Sequence, residues 1–125
     1  MAELTTWRVG GPARYLVTVE DRSALIEVLA LSAEAGAPLM VIGRGSNLLV
    51  ADRGFPGVVV RMGGGLSRVS VQDRRIIAGG GASLDNVIQM AWQAGLTGLE
   101  FAAGIPGSVG GAVYMNAGAF SKSVS

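Results

Sequence analysis

Glycine occurs in bursts along this chain, and the bursts constrain its fold more than any other feature of the sequence. The 20 glycines among 125 residues cluster as GG at 10–11, GRG at 43–45, GGG at 63–65, GGG at 79–81 and GIPGSVGG at 104–111. They lack the three-residue period of collagen and are separated by apolar segments, unlike the glycines of a flexible linker. Because glycine is costly in conformational entropy, such bursts predict loops with unusual dihedral angles or loops that approach a ligand closely.

Composition indicates a globular domain and excludes several kinds of site. Half of the residues are hydrophobic, which is enough to build a core. The formal net charge is only +1, and the ten basic and nine acidic residues are spread along the chain. Neither nucleic acid nor an anionic membrane surface is therefore expected as a partner. Cysteine and histidine are absent, and we expect no disulfide, no metal site and no histidine base. No segment is typical of a signal peptide or a membrane span, and a cytoplasmic location is expected.

The apolar pattern predicts a βαβ unit, then short strands, a second helix and a glycine-rich end. Strands are predicted over Ala13–Val19, Leu39–Ile42, 48–50, 58–61, Val69–Gln72 and Arg75–Ala78. The second of these is expected to be buried on both faces, because it is continuously apolar. One helix is predicted from a cap at Asp21 or Ser23 to Gly36, and another from a cap at Ser83 to Gly95. This order predicts an α+β fold with a mixed sheet.

The first glycine loop, GRGSN at residues 43–47, follows a predicted strand. It begins like a dinucleotide-binding fingerprint, but Leu48 stands where the third glycine belongs, and a strand-like run follows instead of a helix. One interpretation is a nest of backbone N–H groups that binds an oxyanion, with Ser46 and Asn47 as further donors. The alternative is a tight turn in which glycine supplies a positive φ. The loop by itself does not decide between them.

The second glycine loop, GIPGSVGGA at residues 104–112, has two interpretations as well. Its PGSVG segment resembles a nucleophile elbow with proline at the first glycine, but a chain without histidine cannot complete a Ser-His-Asp triad. A rigid Pro-Gly turn ahead of Ser108 suits a backbone pressed against a flat or phosphorylated ligand. Close packing of a helix against a sheet would also require small residues here.

A few single residues are further candidates. The glycines at 79–81 precede the helix capped by Ser83, which is a natural position for a phosphate, although Ser83 also serves as a plain helix cap. Three arginines are candidate phosphate partners: Arg14, Arg44 and Arg53. Trp7 and Trp92 are expected in the core or between lobes.

Together these stretches resemble the UDP-N-acetylenolpyruvoylglucosamine reductase (MurB) family, flavoenzymes of peptidoglycan synthesis. The matching segments are TTWRVGGPA at 5–13, VIGRGSNLLV at 41–50, GFPGVV at 54–59, GLEFAAG at 98–104 and IPGSVGGAVYMNAGA at 105–119. They occur in the family's order and cover nearly the whole chain. The resemblance implies an FAD-binding domain of the PCMH, vanillyl-alcohol-oxidase-like type. It also implies two small α+β lobes, about 1–62 and 63–125, that clasp an extended FAD.

The resemblance also implies which residues contact FAD. The first loop would wrap the pyrophosphate, and the second loop would line the flavin side, with the segment after it close to the ring. The implied cofactor-binding residues are Val41, Ile42, Gly43, Arg44, Gly45, Ser46, Asn47, Leu48, Gly80, Ala82, Ser83, Gly104, Ile105, Pro106, Gly107, Ser108, Gly110, Gly111, Asn116, Ala117 and Gly118.

The chain departs from the family at its end. After Asn-Ala-Gly-Ala the family continues with Tyr-Gly-Gly-Glu or similar, whereas FSKSVS stands here at 120–125. The family's catalytic arginine, its proton-donating serine and its assisting glutamate have no counterpart in this chain. We therefore expect no catalytic residue here, an incomplete second lobe and no C-terminal substrate-binding domain.

The complete enzymes of the family define the expected ligands. In them NADPH reduces the flavin, which passes a hydride to the enolpyruvyl ether of a UDP-sugar, and a serine donates the proton. The implied partners are NADPH, the UDP-sugar, and a C-terminal half or a second copy of the chain. This chain alone is expected to be inactive. Two alternatives remain open: a non-catalytic nucleotide-binding or interaction module, and a poorly folded fragment that has lost FAD.

Overall fold

Three parallel strands organise the first half of the chain in the computed structural model, which describes residues 1–124. The strands β1 (Ala13–Val19) and β2 (Leu39–Ile42) pair on either side of β3 (Phe55–Met62). Val59 and Val60 of the central strand have no exposed surface. Such β-branched side chains pack well in a strand with neighbours on both sides. Because both pairings are parallel, the carboxyl ends of all three strands meet at one edge of the sheet.

The helix α1 (Arg22–Glu34) connects β1 to β2, as the sequence predicts. Of the two predicted caps, Asp21 is the one used: the Ala24 N–H donates to its carboxylate at 2.8 Å. Ser23 instead donates its own hydroxyl hydrogen to Asp21 at 2.7 Å. The helix ends just before Gly36, whose φ of 60° suits glycine after a helix.

The second half contains an antiparallel hairpin, two helices and a short terminal hairpin. The strands β4 (Val69–Gln72) and β5 (Arg75–Ala78) pair as predicted, around a turn in which Asp73 has a φ of 53°. The helices are α2 (Leu84–Gln93) and α3 (Val109–Tyr114), followed by β6 (Gly118–Ala119) and β7 (Lys122–Ser123). A small core joins α2, α3 and the turn between them through Leu84, Phe101, Ala102 and Ala112.

Three predictions about strands are wrong. Residues 48–50 are not a strand, because they form no ladder of backbone hydrogen bonds within the described chain. The nearest bond to the N-terminal segment runs from the Gly11 N–H to the Ala51 carbonyl, at 3.0 Å. The strand β2 is not buried on both faces: Val41 is 46% exposed, since it is an edge strand that lines a cavity. Within residues 1–124 the hairpin forms its own sheet, so the sheet is not mixed.

The predictions for the two tryptophans are also wrong, and α3 was not predicted. Trp7 and Trp92 are 68% and 80% exposed. The helix α2 buries a stripe containing Leu84, Val87 and Ala91, and that stripe leaves Trp92 outside. The sequence of α3 conceals a helix because two of its six residues are glycine, which has low helix propensity.

Some expectations are not tested by the fold. The division into lobes at about residue 62 stays a prediction, and Ser125 of the altered tail lies outside the described residues. Among residues 1–124, no helix has the length and apolar character needed to cross a membrane.

Candidate functional site

A cavity of about 1050 Å³ lies at the carboxyl edge of the parallel sheet, where the two glycine loops meet. One wall is formed by β2 and the first loop, residues 39–48. The other wall is formed by residues within 105–118, which include the second loop and much of α3. Met62, at the end of β3, also lines the space. Open sheets with parallel strands commonly bind ligands at this edge, because the loops there are free to supply contacts.

The first loop presents backbone N–H groups that have no partner within the described part of the chain. Within residues 1–124, none of the N–H groups of residues 44–47 donates a hydrogen bond. One of them belongs to Gly45, which is buried. Leaving a buried donor unsatisfied costs about 1–3 kcal/mol, so such groups usually have a protein, water or ligand partner. The loop therefore offers a row of donors to an anion in the cavity.

Four contacts hold the first loop against the second half of the chain. The Ser46 hydroxyl donates to the Pro106 carbonyl at 2.9 Å. Arg44 Nη1 donates to Ser83 Oγ at 3.2 Å and lies 3.6 Å from an Asp85 carboxylate oxygen. Gly43 lies so close to Ser108 that a Cβ on it would collide with the serine hydroxyl. These contacts fix the first loop opposite the second.

The second loop pairs part of its backbone with the segment before α2. The N–H groups of Val109 and Gly110 donate to the carbonyls of Ala82 and Gly80 at 2.9 and 2.8 Å. Ser108 is 3% exposed, and its hydroxyl caps α3 by accepting from the Gly111 N–H at 3.2 Å. The second interpretation expected a helix packed closely against a sheet; the small residues do allow close packing, but against the segment at residues 80–82, which belongs to no sheet.

The two serines that precede helices differ in what they do. Ser83 stands at the N-cap of α2, but its side chain makes no capping hydrogen bond. Its hydroxyl accepts from Arg44 instead, so Ser83 occupies the predicted N-cap position but does not cap the helix through its side chain. Of the two serines, Ser108 is the one that caps a helix with its side chain, at a place where no helix was predicted.

A turn stabilised by a carboxylate leads into the second loop. The Gly98 N–H donates to the Glu100 carboxylate at 2.8 Å. Hydrogen bonds from the backbone of Glu100 itself and of Gly98 hold the pKa of this carboxyl below its ordinary value of 4.5. The charged form of Glu100 thus helps to shape residues 98–100.

The structure brings together most of the predicted site residues. All of residues 41–48 line the cavity, as do those predicted within 105–111 and 116–118. Four predicted residues do not line it: Gly80, Ala82, Ser83 and Gly104. The first three lie behind the second loop and support it. Arg14 and Arg53 do not line the cavity, whereas Arg44 does.

Six lining residues were not predicted: Leu39, Met40, Met62, Ala112, Tyr114 and Met115. Leu39 and Met40 precede a predicted site residue on the same strand, so extension of the motif would have found them. Ala112, Tyr114 and Met115 lie between two predicted groups. Met62 is brought to the cavity only by the register of β3, and no local signal marks it.

The fold and the cavity define a class of protein, namely α+β domains with a ligand cavity between two glycine-rich loops. The chain belongs to the FAD binding domain family, whose sequence pattern matches residues 13–125. This confirms the predicted α+β, FAD-binding fold.

Similar individual proteins give a narrower identification than the family does: those described below are UDP-N-acetylenolpyruvoylglucosamine reductases. The one from Heliobacterium modesticaldum is 50% identical over 119 residues, which is 95% of this chain and 38% of that protein. Reductase 1 from a strain of Bacillus cereus is 47% identical over 100% of this chain and 42% of that protein. The crystal structure of the reductase (MurB) from Thermus caldophilus superposes with a TM-score of 0.82 at 43% identity, covering 98% of this chain and 42% of that one. The resemblance seen in the sequence is confirmed, and the chain spans about two fifths of the length of these relatives.

The residues of the cavity fit FAD. The unpartnered N–H groups of residues 44–47 suit a pyrophosphate, which requires several donors. Met40, Met62 and Met115 line the same space, and methionine packs readily against an aromatic ring such as a flavin. The volume of about 1050 Å³ is at the upper end of pockets that hold small ligands.

Proposed function

We propose that this chain is the FAD-binding part of a UDP-N-acetylmuramate dehydrogenase. Such an enzyme uses NADPH to reduce UDP-N-acetylglucosamine enolpyruvate to UDP-N-acetylmuramate, a peptidoglycan precursor, in the cytoplasm. The row of unpartnered N–H groups at residues 44–47 is the observation that supports the proposal most, because a dinucleotide pyrophosphate is the ligand that would satisfy them. The names of the relatives supply the reaction.

Each wall of the cavity has a proposed role. Residues 43–48 hold the pyrophosphate through backbone N–H groups, while Ser46 keeps the loop in place through Pro106. Residues 105–111 and 116–118 lie along the flavin side and exclude water from it. Gly80, Ala82 and Ser83 support the second loop from behind. When bound, FAD would supply the hydride-transfer chemistry of the reaction.

We propose that this chain alone does not turn over. It contains no counterpart of the family's catalytic arginine, proton-donating serine or glutamate, and it matches only about two fifths of the relatives' length. The contacts to NADPH and to the UDP-sugar then belong to the part of the relatives that has no match here. A C-terminal half or a second copy of the chain would have to supply them.

The first experiment measures which flavin the 125-residue chain retains. Purified protein is titrated with FAD, FMN and riboflavin, and binding is followed by quenching of flavin fluorescence. Because the proposed contacts are to the pyrophosphate, FAD should bind at least about tenfold more tightly than FMN or riboflavin, since hydrogen bonds to a charged group are each worth about 1.5–3 kcal/mol. Equal affinity for all three, or no binding of FAD at micromolar concentrations, would contradict the proposal.

A second experiment tests inactivity. NADPH is added without oxygen to the FAD-loaded chain, and the flavin absorbance is recorded; a full-length relative such as the Bacillus cereus reductase serves as the positive control. We expect bleaching in the control and none in this chain. Bleaching of this chain would show that its own residues accept NADPH. Bound FAD that stays unreactive even with a C-terminal half supplied would favour a non-catalytic module.

A further inference from the structure

A second cleft adjoins the cavity and has a different character. It has a volume of about 530 Å³ and is lined by the N-terminal segment, by the end of β3 and by the start of the first loop. Gly43 and Arg44 line both spaces, as do Ile42 and Met62. A group bound in the cleft would therefore lie next to the same short stretch of backbone that the proposed pyrophosphate contacts.

The cleft carries an excess of positive charge. Three arginines line it, Arg8, Arg44 and Arg61, against a single carboxylate from Glu3. Arg44 is paired with Asp85. Across residues 1–124, the guanidinium groups of Arg8 and Arg61 make no hydrogen bond and no ion pair. Two guanidinium groups without an ion-pair partner, against the one carboxylate of Glu3, leave a local positive potential that attracts anions.

The backbone conformation of Arg8 costs free energy in any residue that has a side chain. Its φ of 53° lies in the left-handed region, which residues other than glycine and asparagine seldom adopt. A turn creates this conformation, in which the Arg8 N–H donates to the Thr5 carbonyl at 3.2 Å. Thr5 is buried, so the turn is anchored to the rest of the fold. Arg8 is exposed, and its guanidinium forms no hydrogen bond or ion pair within the described residues, so it is available to a ligand in the cleft.

We propose that this arginine cleft binds a phosphate or diphosphate group, with Arg8 and Arg61 as its side-chain ligands. The planar fork of a guanidinium matches two phosphate oxygens, and the charge strengthens both hydrogen bonds. The group has two sources with the same chemistry. It belongs either to FAD itself, in which case the inference rests on the proposed function, or to a second phosphorylated ligand.

The test uses inorganic pyrophosphate and the full 125-residue chain without FAD, followed by isothermal titration calorimetry. Arg8→Gln and Arg61→Gln should each weaken binding about tenfold or more, since each removes charge-assisted hydrogen bonds. Arg8→Lys should retain part of the affinity. The matched control is Arg53→Gln, an exposed arginine that lines neither space, and its affinity should stay within about twofold of the wild type.

A further variant separates binding from folding. Arg8→Gly removes the guanidinium but suits the φ of 53°, so its thermal midpoint should not fall, while its pyrophosphate affinity should fall as in Arg8→Gln. Unchanged pyrophosphate affinity in both Arg8→Gln and Arg61→Gln overturns the proposal, and so does an absence of pyrophosphate binding to the wild-type chain.

Saturation with FAD before the titration identifies the source of the phosphate. If FAD abolishes pyrophosphate binding and Arg8→Gln weakens FAD itself, the diphosphate of FAD occupies the cleft. If the FAD-loaded chain still binds pyrophosphate through the arginines, the occupant is a second phosphorylated ligand. Arginine-dependent binding of pyrophosphate by a chain that binds no FAD would support the cleft and reject the proposed function. FAD binding without any pyrophosphate site would do the reverse.

Discussion

The two glycine-rich loops face each other across one cavity but use glycine for different purposes. In the first loop, the N–H groups of residues 44–47 have no partner within the described chain. In the second loop, the N–H groups of Val109 and Gly110 are bonded to the segment before α2, and Ser108 caps α3. A Cβ on Gly110 would come within 3.0 Å of the Gly80 carbonyl oxygen. One loop leaves its donors for a ligand, and the other brings two backbone segments together.

This difference shows that a burst of glycines does not by itself indicate a phosphate site. What distinguishes the loops is where their backbone donors go, because every buried N–H must find an acceptor in the protein, in water or in a ligand. By this criterion the first loop is a candidate anion site, because its N–H groups have no partner within the described chain. The second loop is a packed structural element that also lines the cavity, because N–H groups in it are bonded to the protein.

The largest effect is expected from Gly45→Val in the first loop. Gly45 has a φ of 65°, and a Cβ there would collide with the Leu4 carbonyl oxygen. Overpacking and the left-handed conformation together should cost about 3 kcal/mol or more of unfolding free energy. Urea denaturation followed by circular dichroism measures this cost.

The control for Gly45→Val is Gly36→Ala, at a φ of 60° with no atom within 4 Å of the added Cβ. It should lose only about 1 kcal/mol, from the backbone conformation alone. Because Gly45→Val disturbs the contact between the first loop and the N-terminal segment, a loss of FAD binding in that variant would reflect damage to the fold. It would not test whether the N–H groups of residues 44–47 bind FAD. A Gly45→Val protein as stable as the wild type would show that the first loop is not anchored to the N-terminal segment.

A smaller effect distinguishes the two serines. Ser108→Ala removes the side-chain cap of α3 and should cost about 1 kcal/mol of unfolding free energy. Ser83→Ala removes only a hydrogen bond from the exposed side chain of Arg44 and should cost about 0.5 kcal/mol or less. Thermal denaturation of both variants under the same conditions makes the comparison. Equal losses, or a greater loss in Ser83→Ala, would mean that the assignment of the caps is wrong.

The regular elements could be predicted from sequence because their signals are local. The strand β1, the helix α1 with its Asp21 cap and the hairpin around Asp73 each depend on periodicity, capping or turn residues. The two glycines of α3 conceal it, since the helix depends on the Ser108 cap and on burial of Ala112 against α2. The cap is a local contact between Ser108 and Gly111, but the burial of Ala112 with Leu84 joins residues far apart in sequence and leaves no local pattern.

The site was predictable only as far as its loops are continuous motifs. The resemblance implied residues 41–48 as one continuous motif, and they do line the cavity. It also implied Gly80 and Ser83, which do not line the cavity and support the second loop from behind. Met62 reaches the cavity through strand pairing, and Arg8 and Arg61 reach the neighbouring cleft through the fold. Tertiary structure decides all of these positions.

The smallest effect concerns the turn that leads into the second loop, and it depends on pH. The pKa of Glu100 is lowered by hydrogen bonds from its own backbone and from Gly98, so its ionised form is favoured in the folded protein. The stabilisation is therefore fully present above the ordinary pKa of 4.5 and is lost as the pH falls through the lowered value. Amide hydrogen exchange by NMR should show protection of the Gly98 N–H falling through this acid range, while Val109 and Gly110 remain protected.

In Glu100→Gln the protection of Gly98 should be weaker and should not respond to pH beyond the intrinsic exchange rate, because a neutral amide oxygen still accepts but does not titrate. If Gly98 in Glu100→Gln shows the same acid-dependent loss as the wild type, the Glu100 carboxylate does not stabilise the turn, and the approach to the second loop depends on packing alone.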